Sequence, residues 1–118
     1  MSSRNLSIVL GRIGQDPTVS ELPSGQVVNF TVATNEKWND KVSGERKERT
    51  EWHNVVVWNQ TAEWAAKNLK KGDIVYVEGP MQTRKFEDKN GQQKSITEIK
   101  ARSVQKVYTE KVESNGNQ

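Results

Sequence analysis

The chain has 118 residues, 32% of them hydrophobic and 28% charged, with a net charge of +3. That length allows one domain with a lean core. With no Cys and a single His, a disulfide framework and a thiolate site are excluded, and no His/Cys cluster points to a zinc centre.

Taken in chain order, Leu6 to Leu10 predicts a strand closed by Gly11 and Gly14. Gln15-Asp16-Pro17 is a turn signal, Thr18 to Leu22 extends again, and Pro23-Ser24-Gly25-Gln26 predicts a second turn. Val27 to Thr34 is the next strand, with Val28, Phe30 and Val32 on one face. The polar stretch Asn35 to Arg49 predicts a long mobile hairpin, because its only large apolar side chain is Trp38. Thr50 to Trp58 alternates most clearly. Trp52, Asn54, Val56 and Trp58 share one face, and His53, Val55 and Val57 the other. At ~3.3 Å per residue the two indoles lie roughly 20 Å apart on one surface. A single short helix is predicted from Ala62 to Leu69, with Trp64, Ala65 and Leu69 as its apolar stripe and Gly72 as its stop. Ile74 to Met81 is a strand in which Pro80 must interrupt the ladder, and the chain continues extended to Glu87. Asp88-Lys89-Asn90-Gly91 is a hairpin signal, followed by strands over Ser95 to Ala101 and Val104 to Tyr108. Residues 109–118 are polar and aperiodic and are expected to form a disordered tail. Grouped into five strand regions with one short helix between the third and fourth, residues 1–108 predict an all-β, five-stranded OB-fold Greek-key barrel.

Four aromatic side chains fall outside any apolar pattern. Trp38 lies within Lys37-Trp38-Asn39-Asp40-Lys41 and Phe86 within Arg84-Lys85-Phe86-Glu87-Asp88, while Trp52 and Trp58 share one strand face. A π-face held in water beside cations suits an unpaired nucleic-acid base, with Lys and Arg tracking the phosphates. The alternative for Trp52 and Trp58 is a core role, because alternation does not say which face of the sheet is wet. Trp64, on the helix stripe, is assigned to the core. His53 has no orienting partner or nucleophile in any recognisable motif, and the carboxylates form no acid–base pair, so no enzyme, cofactor or metal site is expected. No apolar run approaches the roughly 20 residues of a spanning helix. Met1 to Asn5 lead into the first strand without a targeting pattern, so a soluble, cytoplasmic protein is expected.

Five ordered motifs now carry a resemblance. They are Gly11-Arg12-Ile13-Gly14-Gln15-Asp16-Pro17, Ala33-Thr34 followed by Trp38, Thr50-Glu51-Trp52-His53-Asn54-Val55-Val56-Val57-Trp58, the stretch from Leu69 to Gly79, and Thr83-Arg84-Lys85-Phe86-Glu87-Asp88. Together they resemble the bacterial-type single-stranded DNA-binding protein family over roughly Asn5 to Tyr108. The resemblance implies an OB-fold homotetramer that binds single-stranded DNA in replication, recombination and repair, associated with the nucleoid. It implies stacking at Trp38, Trp52, Trp58 and Phe86, and phosphate contacts from Lys41, Lys71, Arg84 and Lys85. It places His53 at a subunit interface, and Tyr76 is read as core or interface. Asn54 and Gln60 are neutral where the family often has basic residues. Residues 109–118 carry no acidic-hydrophobic tip of the kind that recruits replication and repair proteins. Four stacked bases at ~1–3 kcal/mol each, the magnitude typical of this class, reach the ~8 kcal/mol of micromolar binding. Base-specific readout is not expected. The rival reading is a primosome-type protein-interaction module on the same fold, which would not need all four rings.

Overall fold

The computed structural model describes residues 2–108; the predicted tail lies outside them. Its elements are β1 (Ser7–Ile13), β2 (Thr18–Leu22), β3 (Gly25–Asn39), β4 (Arg46–Trp58), α1 (Asn59–Asn68), β5 (Ile74–Gly79), β6 (Met81–Glu87), β7 (Gln93–Lys100) and β8 (Ser103–Val107). The five-strand expectation is therefore corrected to eight strands. They form one sheet in the order β6-β7-β4-β3-β1-β5-β8, with β2 paired to β3. All ladders are antiparallel except β4 with β7.

The sheet does not close into a barrel, because its end strands β6 and β8 are not paired to each other. Both ends are instead tethered at the breaks between consecutive strands. Pro80 has no N–H and cannot extend the β5 ladder. Its carbonyl accepts from the Lys100 N–H at 2.8 Å, and the Arg102 N–H donates to the Glu78 carbonyl at 2.9 Å. Gly11 lets β1 approach β3, since a Cβ there would collide with the Ala33 carbonyl.

The core lies between the inner sheet face and α1. Val28, Phe30 and Val32 of β3 meet Val55 and Val57 of β4 and Val75 and Val77 of β5. The helix contributes Ala62 and Ala65, followed by Leu69. It begins three residues earlier than its apolar stripe suggested, because its first turn faces solvent with Asn59 and Gln60. Trp64 packs on the core but is only partly buried.

The segment read as a mobile hairpin is a paired ribbon. The β3–β4 ladder continues from Val27↔Trp58 to Asn39↔Arg46, leaving residues 40–45 as its turn. A second ribbon is formed by β6 and β7, paired from Met81↔Ile99 to Glu87↔Gln93. Backbone pairing holds both ribbons without an apolar side chain at each step.

An aspartate closes each tip. Asp40 accepts from the Val42 N–H at 3.1 Å and the Ser43 hydroxyl at 3.0 Å. Asp88 accepts from the Asn90 and Gln92 N–H groups, both at 2.9 Å. The backbone donors Val42 and Gln92 are the leading causes that hold these carboxyls below their ordinary value of 3.8. A carboxyl whose pKa is depressed by folding stabilises the turn above the unfolded value, and that contribution is lost as pH falls through the folded value. Carboxyl carbon shifts followed by NMR should therefore titrate below 3.8 for both residues, with turn amide signals moving in the same window. Titration at or above 3.8 would show that these bonds are not held in solution.

Candidate nucleic-acid interface

The sheet register sorts the candidate side chains onto faces. Trp52 pairs with Ala33, Asn54 with Thr31 and Trp58 with Val27 across β3–β4. Asn54 aligns with Glu98 and Val56 with Lys100 across β4–β7. Phe86 pairs with Lys94, Arg84 with Ile96 and Gln82 with Glu98 across β6–β7. Directly paired residues share a face and alternate residues return to it. Trp52, Trp58, Arg84 and Phe86 therefore lie on one outer face, while Val55 and Val57 point to the core. This decides the question that alternation left open. The wet face is the tryptophan face, because Val55 and Val57 belong to the core cluster with α1 and β5, while Val56, buried on the tryptophan face, aligns with Lys100 and lies outside that cluster.

Each candidate ring is open to a ligand. Trp38, Trp52, Trp58 and Phe86 are 44%, 57%, 38% and 37% exposed. Trp52 lies over Gly14, where a Cβ would strike its six-membered ring. Trp58 ends β4 immediately before α1, and Asn59 makes the corner with a φ of 54°, a conformation Asn tolerates better than most residues. The Lys100 ammonium sits 5.3 Å from the Trp58 ring and the Arg84 guanidinium 5.8 Å from the Phe86 ring, both within cation–π range. Trp38 is different. It pairs with Lys47 and alternates with Glu36 and Thr34, so it occupies the other face of the β3–β4 ribbon.

The cations are also less uniform than their sequence neighbourhood suggests. Arg84 donates from Nε to Glu98 Oε1 at 2.9 Å and from Nη2 to Oε2 at 3.4 Å. The Glu98 side chain is 8% exposed, against 58% for Arg84. Arg84 is thus the partner of a buried carboxylate as well as a candidate phosphate contact. Lys85 pairs with Ser95, so alternation turns it away from Arg84 and Phe86, and one phosphate cannot be held by both. Lys41 lies in the tip of the β3–β4 ribbon, exposed. Lys71 is fixed through its backbone N–H, which donates to Asp16 Oδ1 at 2.9 Å, while the residue is exposed.

Lys100 and Glu98 were missed in the sequence reading. Their signal is the parallel β4–β7 register, which places them beside residues more than 40 positions earlier. His53 and Tyr76 lie apart from the tryptophan face. His53 Nε2 is 2.9 Å from Thr34 Oγ1 in a partly buried position. Tyr76 pairs with Leu10 on the β1–β5 ladder, on its outward side.

A mostly β sheet with one helix and open aromatic rings backed by cations defines a ligand-binding β module. The Single-strand binding protein family model matches residues 4–107, and the chain belongs to that family. Among solved structures it is similar to that titled "Plasmodium falciparum SSB complex with ssDNA", at 36% identity and a TM-score of 0.80. The match covers 92% of this chain and 98% of the other.

Proposed function

We propose that this protein binds single-stranded DNA on the outer face of β4, β6 and β7, stacking bases on Trp52, Trp58 and Phe86, and continues the strand along the β3–β4 ribbon past Trp38. The observation that carries the reading is the placement of three open rings on one face with cations over two of them. Stacking accepts every base, because each has a π-face. Lys100, Lys41 and Lys71 supply charge along the strand, Arg84 does so while held by Glu98, and Lys85 reaches a phosphate only from the other face of the β6–β7 ribbon. Family membership and the relative's title support the same ligand and a role in replication, recombination and repair. They do not favour a module used mainly for protein contacts. No step of bond chemistry enters this reading. Tryptophan emission should be quenched on titration with a poly-pyrimidine single strand and not with a duplex of equal length. Equal quenching by both would overturn it.

The framework proposed is of OB type. Counting β5 with β6 across Pro80, and β7 with β8 across Ala101 and Arg102, gives β1, β3, β4 and two bent strands, five in all, with β2 as an added hairpin arm.

Assembly into a homotetramer is part of the proposal. The outward side of β1 and β5 exposes Ile8 and Leu10, 55% and 58% open, next to Tyr76. Contiguous exposed apolar surface is a common mark of an interaction site. Tyr76 and, at the end of the core-side face, His53 are the proposed interface residues. Light scattering should give about four times the 13.4 kDa chain mass at micromolar concentration. A concentration-independent monomer would refute assembly without touching the stacking face.

A further inference from the structure

A cleft of about 430 Å³ opens where the row of rings on β4 runs out. Gln60, Thr61 and Trp64 of α1 form one side of it. Arg102, Ser103 and Gln105, at the bend from β7 into β8, form the other. Trp52 and Trp58 mark a line along β4, and the chain turns away into α1 at Asn59. Gln60 and Thr61 follow Trp58 by two and three residues, so the ground beyond that ring is this cleft. A strand with bases on Trp52 and Trp58 that continues in the same direction leaves Trp58 across it.

The bend that carries Arg102 is fixed, while its head is free. The Ala101 N–H donates to the Val56 carbonyl at 3.1 Å, and the Arg102 N–H to the Glu78 carbonyl at 2.9 Å. Ala101 is buried, so Lys100 and Arg102 on either side of it turn outward. Lys100 lies over Trp58. Arg102 is exposed. Among the described residues its guanidinium has no hydrogen-bond or ion-pair partner, unlike that of Arg84. A surface arginine is ordinarily only solvated, but this one stands in a concave lining where it is the one charged side chain and no carboxylate opposes it. The Thr61 and Ser103 hydroxyls and the Gln60 and Gln105 amides share that lining, and among the described residues their side chains are unpartnered as well. Guanidinium, hydroxyl and amide N–H groups all donate to phosphate oxygens. Trp64, packed on the core, closes one wall with apolar surface that suits a sugar.

We propose that Arg102 heads a phosphodiester subsite in this cleft, which carries the bound strand past Trp58 between α1 and the β7–β8 bend. The proposal rests on the single-strand reading above and extends it beyond the outer face of β4, β6 and β7. The subsite adds affinity without base preference, because its contacts are to phosphate. Local sequence gives no sign of it, since Arg102 and Gln60 meet only through the fold.

The test is a salt series with one long poly-pyrimidine single strand on the intact protein, Arg102→Ala, Arg102→Lys and Lys67→Ala. Arg102→Ala should flatten the dependence of log K on log salt by about 0.7, the counterion release of one single-strand phosphate contact. Its saturating tryptophan quench should be unchanged, because the rings remain. Thermal unfolding should be unchanged as well, because the side chain is exposed and bonded to nothing else among the described residues. Arg102→Lys should keep the slope, since an ammonium also neutralises one phosphate. Lys67→Ala removes an equal charge from α1 outside the cleft and should leave the slope unaltered. A slope for Arg102→Ala equal to that of the intact protein, with the strand still bound and the rings quenched, overturns the subsite and leaves the stacking reading standing. Equal flattening by Lys67→Ala overturns it too, because the effect would then belong to overall charge. Failure of the intact protein to bind the strand overturns the single-strand reading, and the subsite with it.

Discussion

Trp52→Ala should weaken binding of a poly-pyrimidine single strand by roughly 1–3 kcal/mol, the usual worth of one base–aromatic stack, and leave the melting temperature nearly unchanged. The ring is 57% exposed, so little core contact is lost with it. Trp58→Ala should behave similarly in binding, with a small stability cost, because the residue also forms the entry to α1. Trp64→Ala should do the reverse. Its ring packs on the core cluster from the helix, and deletion should cost about 2–4 kcal/mol, toward the lower side for a large aromatic because it is only partly buried. Affinity of the folded fraction should stay within a small factor. Titration by fluorescence or anisotropy, paired with thermal unfolding, separates the two classes. If Trp64→Ala loses binding and keeps stability while Trp52→Ala does the opposite, the face assignment is wrong.

The second large effect concerns Arg84. Adjacent basic residues in sequence suggest two equivalent phosphate contacts at Arg84 and Lys85, but their partners make them unequal. Arg84→Ala leaves the Glu98 carboxylate buried without its cation, and should cost roughly 1–3 kcal/mol of stability. The figure stays below that of a fully buried pair because the guanidinium is more than half in water. Adding Glu98→Gln to Arg84→Ala should recover part of the loss. Lys85→Ala and Lys100→Ala should leave unfolding almost unaffected. Each should flatten the dependence of log K on log salt by about 0.7, the counterion release of one single-strand phosphate contact. The loss should be similar for all sequences, since phosphate carries no base information. The measurements are urea unfolding of the Arg84 variants and a salt series with one fixed oligonucleotide. An Arg84→Ala protein as stable as the parent would remove the anchoring role. An unchanged slope in Lys85→Ala and Lys100→Ala would leave Lys41 and Lys71 as the better phosphate contacts.

Much of this molecule is readable from local pattern. Alternation over Thr50 to Trp58 marked a strand and named the two indoles on one face. Pro80 marked the break between β5 and β6, and Asp88 to Gly91 marked the second ribbon's turn. The polar context of Trp38 and Phe86 marked them as rings left in water. Errors arose where stability comes from backbone pairing or from the far side of the sheet. The Asn35 to Arg49 stretch reads as a hairpin and is one, but its few apolar residues did not reveal that the ladder is continuous to Asn39↔Arg46. The helix was placed by its buried stripe, so its solvent-facing first turn was missed.

The sequence by itself determined which residues are aromatic, cationic or strand-forming, and hence the chemistry available to the protein. Those properties belong to single residues and to periods of two or 3.6, which are fixed within a few positions of the chain. Only the tertiary structure decided which face of β4 is wet, that Arg84 answers to Glu98, that Lys100 lies over Trp58, and that Trp38 stands on the opposite ribbon face. Each depends on register between strands far apart in the chain. A shift of one residue in register would turn every side chain to the other face. That register is set by the burial of Val55, Val57, Val75 and Val77 in one shared core, which no local window contains.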